Sequence, residues 1–127
     1  MASDARSGPG LGGYDPVSYH LDPEPRPGLA RPEHVWGGLA FRFASEANRQ
    51  AFARDPAAFL PRVGGYDSVA AAAGRVSSAD PLIYGLRDGR LYMFGTPEGR
   101  RRFLADEAAP TAAEAGWARV RTGLVGG

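Results

Sequence analysis

Apolar and polar positions change their period several times along the chain, and each change marks an element. His34-Val35-Trp36 and Leu39-Ala40-Phe41-Arg42-Phe43 are β-prone arms around Gly37-Gly38. That pattern predicts a two-residue hairpin with Phe41 and Phe43 on one face. Ser45 then stands as an N-cap before the amphipathic run Glu46–Arg54, whose Phe52 faces back toward the sheet, and Asp55-Pro56 ends that helix and opens a shorter one through Leu60. A second hairpin is predicted where Leu82–Leu86 and Arg90–Phe94 flank Asp88-Gly89, the strongest short-range signal for a type I′ turn. Thr96-Pro97 caps and starts a helix to about Asp106, and a last helical stretch runs from about Thr111 to Val120. Asp15-Pro16 predicts a short turn over Pro16–His20, and Asp67 caps a helix over Ser68–Ala73 with Gly74 past its end. Leu21–Pro32 holds four prolines and is expected to wrap the surface as an extended connection without an element.

The same pattern is written twice. Gly12-Gly13-Tyr14-Asp15-Pro16-Val17 returns 52 residues later as Gly64-Gly65-Tyr66-Asp67-Ser68-Val69. At an offset of 51, Gly38, Phe41, Phe43, Ser45, Arg49, Phe52 and Asp55 are echoed by Gly89, Tyr92, Phe94, Thr96, Arg100, Phe103 and Asp106. Two copies are too few for a solenoid, which needs about three. The expected architecture is therefore α+β: two pseudo-symmetric hairpin-plus-helix half-repeats, about 12–62 and 64–120, forming one compact domain over 12–120. Residues 1–11 and 121–127 are expected to be flexible ends.

Composition narrows the chemistry. With 127 residues, one core is expected, and the absence of cysteine excludes disulfides, thiolate metal sites and thiol nucleophiles. All 15 basic residues are arginine against 14 acidic ones. Without lysine there is no Schiff-base or P-loop chemistry, and a net charge of +1, spread along the chain, gives no field for nucleic acid or anionic lipid. No apolar leader and no stretch of membrane-spanning length is present, so cytoplasmic residence is expected. No GxSxG, HExxH, Walker or GxGxxG pattern occurs, and a non-enzymatic role is the reading.

Taken in order, GGYDPVSYH at 12–20, FRFASEANRQAFARDPAAF at 41–59, GGYDSV at 64–69, Asp80-Pro81, DGRLYMF at 88–94 and Trp117 make the chain resemble the small single-domain bacterial YHS-domain proteins. The resemblance implies paired hairpins packed on short helices, related to treble-clef metal modules, and a role in binding a metal or small ligand. Metal-binding versions carry one cysteine directly after the hairpin aromatic and another four residues later. Those positions here are Ala44 and Asn48 in the first copy, and Gly95 and Gly99 in the second. Where cysteine-poor relatives keep a cysteine in the second GGY motif, this chain has Asp67, and where they tend to have Phe it has His20.

These residues suggest an oxygen- and nitrogen-based site between the half-repeats. Asp15 and Asp67, equivalent by the repeat, could share a hard cation or a proton, and with His20 they would hold a divalent metal such as zinc. Tyr14, Tyr66 and Trp36 would line the same ligand site. Each has an ordinary structural reading alongside: the aspartates as helix caps, the tyrosines and tryptophan as core, His20 and His34 as surface histidines, and Arg100-Arg101-Arg102 as a solvated helix face. The partner is then a small ligand or, in a second reading, another protein contacted by a cysteine-free interaction module or by an enzyme's accessory subunit. Self-association is compatible with either.

Overall fold

A computed structural model describes residues 10–126, the side chains of Pro32 and 122–126 excepted. It is α+β, with six helices and two two-stranded antiparallel sheets among the described residues. A tight turn over Gly10–Gly13 leads to α1 (Ser18–Leu21), the hairpin of β1 (Leu29–Trp36) and β2 (Leu39–Phe43), then α2 (Glu46–Arg54) and α3 (Pro56–Phe59). The same order follows again: a turn over Val63–Gly65, α4 (Ser68–Ala72), β3 (Asp80–Arg87) with β4 (Arg90–Phe94), α5 (Pro97–Ala105) and α6 (Ala109–Gly126).

Local chemistry explains the boundaries. Gly37 and Gly38 both take positive φ, as do Asp88 and Gly89, so both hairpins turn through two left-handed residues as their sequences require. Ser45 accepts a hydrogen bond from the Asn48 amide and Thr96 from the Gly99 amide, fixing the starts of α2 and α5. The matched turns also share an unusual feature: Leu11 and Val63, each just before its Gly-Gly pair, sit at φ 55° and 47° with buried side chains. A β-branched residue there is strained, and the burial of Val63 at 2% exposure holds it in place.

Three expectations need correction. The prolines of Leu21–Pro32 do not keep the whole stretch free of structure, because β1 begins at Leu29. Its pairing with β2 shifts register between Leu29 and Glu33, and that irregularity is where Pro32, which has no amide to donate, can be carried. The last helix is longer at both ends than the stretch 111–120, running Ala109–Gly126. The N-terminal segment expected over 1–11 lies mostly outside the described residues, but Gly10 and Leu11 are buried, and a Cβ on Gly10 would fall 2.3 Å from the Phe41 ring.

The interior is two apolar clusters with β4 between them. Leu91 and Met93 join Leu11, Val17, Tyr19, Phe41, Phe43 and Phe52. Tyr92 and Phe94, on the opposite face of the strand, join Val63, Ala71, Phe103 and Ala113. Side chains alternate across a strand, so β4 is covered on both faces and all four of these residues are at most 1% exposed. Each such side chain contributes about 1.5–3 kcal/mol of burial free energy. Phe52 of α2 lies 5.3 Å, ring to ring, from both Phe41 and Phe43, and Phe103 of α5 lies 5.1 Å from both Tyr92 and Phe94. The echoed aromatics of the sequence thus do the same packing work in each copy. The segment preceding α4 also pairs with β4 in parallel, at Pro61 with Leu91 and Asp67 with Met93.

Candidate binding site

Asp15 is fully buried, and its carboxylate is consumed by the protein. Oδ1 accepts from the Val17 amide at 2.8 Å, while Oδ2 accepts from the Ala44 amide at 2.8 Å and the Asn48 side-chain amide at 2.7 Å. Its own backbone is bound too, through Arg26 O and the Ser18 hydroxyl. A buried carboxylate facing three N–H donors stabilises the junction of turn, β2 and α2. A cation there would have to displace all three.

Asp67 holds the corresponding position of the repeated GGYD motif and is less engaged. Its Oδ1 accepts from the Val69 amide at 3.1 Å, the cap read from the sequence, and its backbone amide donates to Ser77 O. Ala44 and Asn48, singled out in the sequence, therefore gather on Asp15. Of their counterparts, Gly95 gathers on Asp67, its Cβ position lying 3.4 Å from the carboxylate, and Gly99 lies against Val69 and Thr96.

His20 points elsewhere. Its Nε2 lies 3.2 Å from the Phe59 carbonyl, and its ring stands edge-on to the Phe59 ring at 5.5 Å. Burial holds its pKa below the usual value, only partly offset by that hydrogen bond. Tyr14 is half-buried against the first cluster, and Tyr66 is buried with its ring 5.5 Å from Trp117. The expected metal set of His20, Asp15 and Asp67 is not assembled: among the described residues, no three His, Asp or Glu side chains could hold one ion. The residues present do not fit a divalent metal, because one carboxylate is saturated by amides and the imidazole is turned onto a carbonyl.

Trp36 departs from the core reading. It is 46% exposed and lines a cavity of about 190 Å³ with Leu39, Phe41, Leu60, Pro61 and the glycines 37 and 64. The side chains of this lining are all apolar. Beside Trp36 at the hairpin tip, Val35 is 66% exposed.

Two features escaped the sequence reading. Leu60 and Pro61 follow α3 at the end of the first half-repeat, where nothing in the local sequence signals a cavity wall. Arg62 forms a two-pronged pair with Glu114, at 2.7 and 3.1 Å, which also accepts from the Tyr92 hydroxyl at 3.1 Å. Burial alone would raise the Glu114 pKa, but the bonds from Arg62 and Tyr92 outweigh it and hold the group below the usual range. These partners are far apart in sequence, and no spacing rule connects them.

Comparison of the chain with protein-family models, with curated proteins and with solved structures finds no match in any of the three. Among the described residues, no helix is long and apolar enough to cross a membrane.

Proposed function

We propose that the chain is a non-enzymatic binding module of the YHS-like kind, built from two half-repeats, and that its ligand is an apolar group received at Trp36. One observation carries this reading: a large indole is left 46% exposed on the wall of an apolar cavity of about 190 Å³, in a protein whose other large aromatics are mostly packed away. The space is open on one side, and its volume exceeds the roughly 150 Å³ that accepts a benzene-sized guest, so a six-membered ring or a branched aliphatic chain fits it. The polar residues first expected to bind a metal support the same conclusion by their commitments elsewhere, Asp15 to three amides and His20 to Phe59.

Titration of ¹⁵N-labelled protein with toluene tests the reading. Saturable shifts are expected at the Trp36 indole N–H and the Gly64 amide, and Trp36→Ala should abolish them. An absence of saturable change at these groups would retire the proposal. The exposure of Val35, on the opposite face of the same hairpin tip, favours a second version, in which the apolar group at Trp36 is a side chain of a partner protein that also covers Val35 by taking the tip from both faces. In that version Val35→Glu leaves toluene binding intact while removing partner binding.

A further inference from the structure

The two aspartates of the repeated motif hold corresponding sequence positions in unlike surroundings, and the difference between them defines a second site, independent of the cavity at Trp36. In the first copy, Asp15 Oδ2 is met by a backbone amide and by the carboxamide of Asn48, the third residue of α2. In the second copy, the third residue of α5 is Gly99, which has no side chain to offer, and among the described residues the Asp67 carboxylate accepts a hydrogen bond at Oδ1, from the Val69 amide. The position a Cβ on Gly95 would take lies 3.4 Å from Asp67 Oδ2 and 3.3 Å from the Ser78 carbonyl oxygen, so two acceptors converge beside a residue without a side chain. Asp67, Gly95 and Gly99 are half-buried rather than sealed, and Ser78 is exposed.

We propose that Asp67 Oδ2 and the Ser78 carbonyl form a subsite for an N–H donor, a primary carboxamide or a primary ammonium, which takes the part that Asn48 plays for Asp15. The first copy shows the geometry such a guest adopts: a nitrogen 2.7 Å from the carboxylate oxygen. A hydrogen bond to an ionised acceptor is about twice as strong as one between neutral groups, and an ammonium guest adds charge attraction. Methylammonium should therefore bind more tightly than acetamide. Two oxygen acceptors without a matched donor do not suit an anion, and a carboxylate guest should not bind.

The test is an NMR titration of ¹⁵N-labelled full-length protein with methylammonium, acetamide and acetate. Saturable shifts centred on the Asp67, Val69, Gly95 and Gly99 amides are expected with the first two and not with acetate. Gly99→Asn supplies an internal amide in place of the guest, and should weaken methylammonium binding by at least about tenfold. It should also raise the thermal midpoint above that of Gly99→Ala, which shares the gain in helix propensity but brings no donor. Because an Asn at 99 must displace Val69 or Thr96 by a few tenths of an ångström, Asp67→Asn is the second variant. It keeps a side-chain cap for α4, removes the charged acceptor, and should also abolish methylammonium binding. The absence of shifts in the parent protein, or their persistence in either variant, would overturn the proposal.

Discussion

Asn48 donates its side-chain amide to the buried carboxylate of Asp15 at 2.7 Å, joining the start of α2 to a turn 33 residues earlier in the chain. The carboxylate is fully buried while its partners are intact, so losing a donor there is costly. Asn48→Ala should cost about 1.5–3 kcal/mol, the range for hydrogen bonds to charged groups. Asp15→Ala should cost more, since it orphans three donors at once. Urea denaturation measures both, and an Asn48→Ala change below about 0.5 kcal/mol would mean that this bond is not holding the junction.

Gly116 of α6 faces the backbone of α4. A Cβ there would lie 1.8 Å from the Ala71 carbonyl oxygen, which is rigid backbone and cannot swing aside. Gly116→Ala should therefore destabilise by about 3 kcal/mol or more, the upper part of the overpacking range, despite a helix-propensity gain of about 1 kcal/mol. Gly89→Ala controls for loss of a glycine where nothing lies within 4 Å, and should cost only the strain of its positive φ. A Gly116→Ala protein as stable as the parent would show that the two helices do not approach this closely.

The hairpins, caps and helices of this chain were legible because their signals are local. Gly37-Gly38, Asp88-Gly89, Ser45 and Thr96 each act within four residues, and the structure places them as those rules demand. The site was less legible because it depends on what meets across long sequence separations. Asp15 reads first as a helix cap and second as a ligand; only its meeting with Ala44 and Asn48 decides that it is an internal anchor. His20 gives no sign in sequence that it will turn onto Phe59. One signal was available for the core: the unbroken apolar run Leu91–Phe94 differs from the alternating Leu39–Phe43, and an unbroken run marks a strand covered on both faces.

His20 makes the protein sensitive to mild acid. Burial favours its neutral form and lowers its folded pKa below the ordinary 6.5, so the unfolded chain binds a proton more readily. The stabilising effect of the neutral ring is full above 6.5 and is lost as pH falls through that value toward the folded pKa. His20→Phe cannot titrate and keeps an aromatic ring against Phe59, so its stability should be flatter between pH 7 and 5. Thermal midpoints of the two proteins across that range decide the matter, and parallel profiles would assign the acid response to another group.

The Arg62–Glu114–Tyr92 network should make itself felt at both ends of the pH scale. Burial works against the Glu114 charge, yet the bonds from Arg62 and Tyr92 leave its pKa below the ordinary 4.5; the stability it gives is therefore full above 4.5 and is lost as pH falls through the folded value. Tyr92 behaves in the opposite sense. Burial, followed by its bond to Glu114, raises its pKa above the ordinary 10.0, so its contribution is full below 10.0 and is lost as pH rises through the folded value. Glu114→Gln should flatten the acid limb of a stability profile and Tyr92→Phe should reduce the alkaline limb, each also weakening the other limb in part because the two groups share a hydrogen bond. The pair is part-exposed, at 40% and 30% for the Arg62 and Glu114 side chains, so the acid effect should shrink in high salt. Denaturation midpoints from pH 3 to 11 at low and high salt provide the measurement; an acid limb unchanged in Glu114→Gln would show that the tie between α6 and Arg62 does not govern acid unfolding.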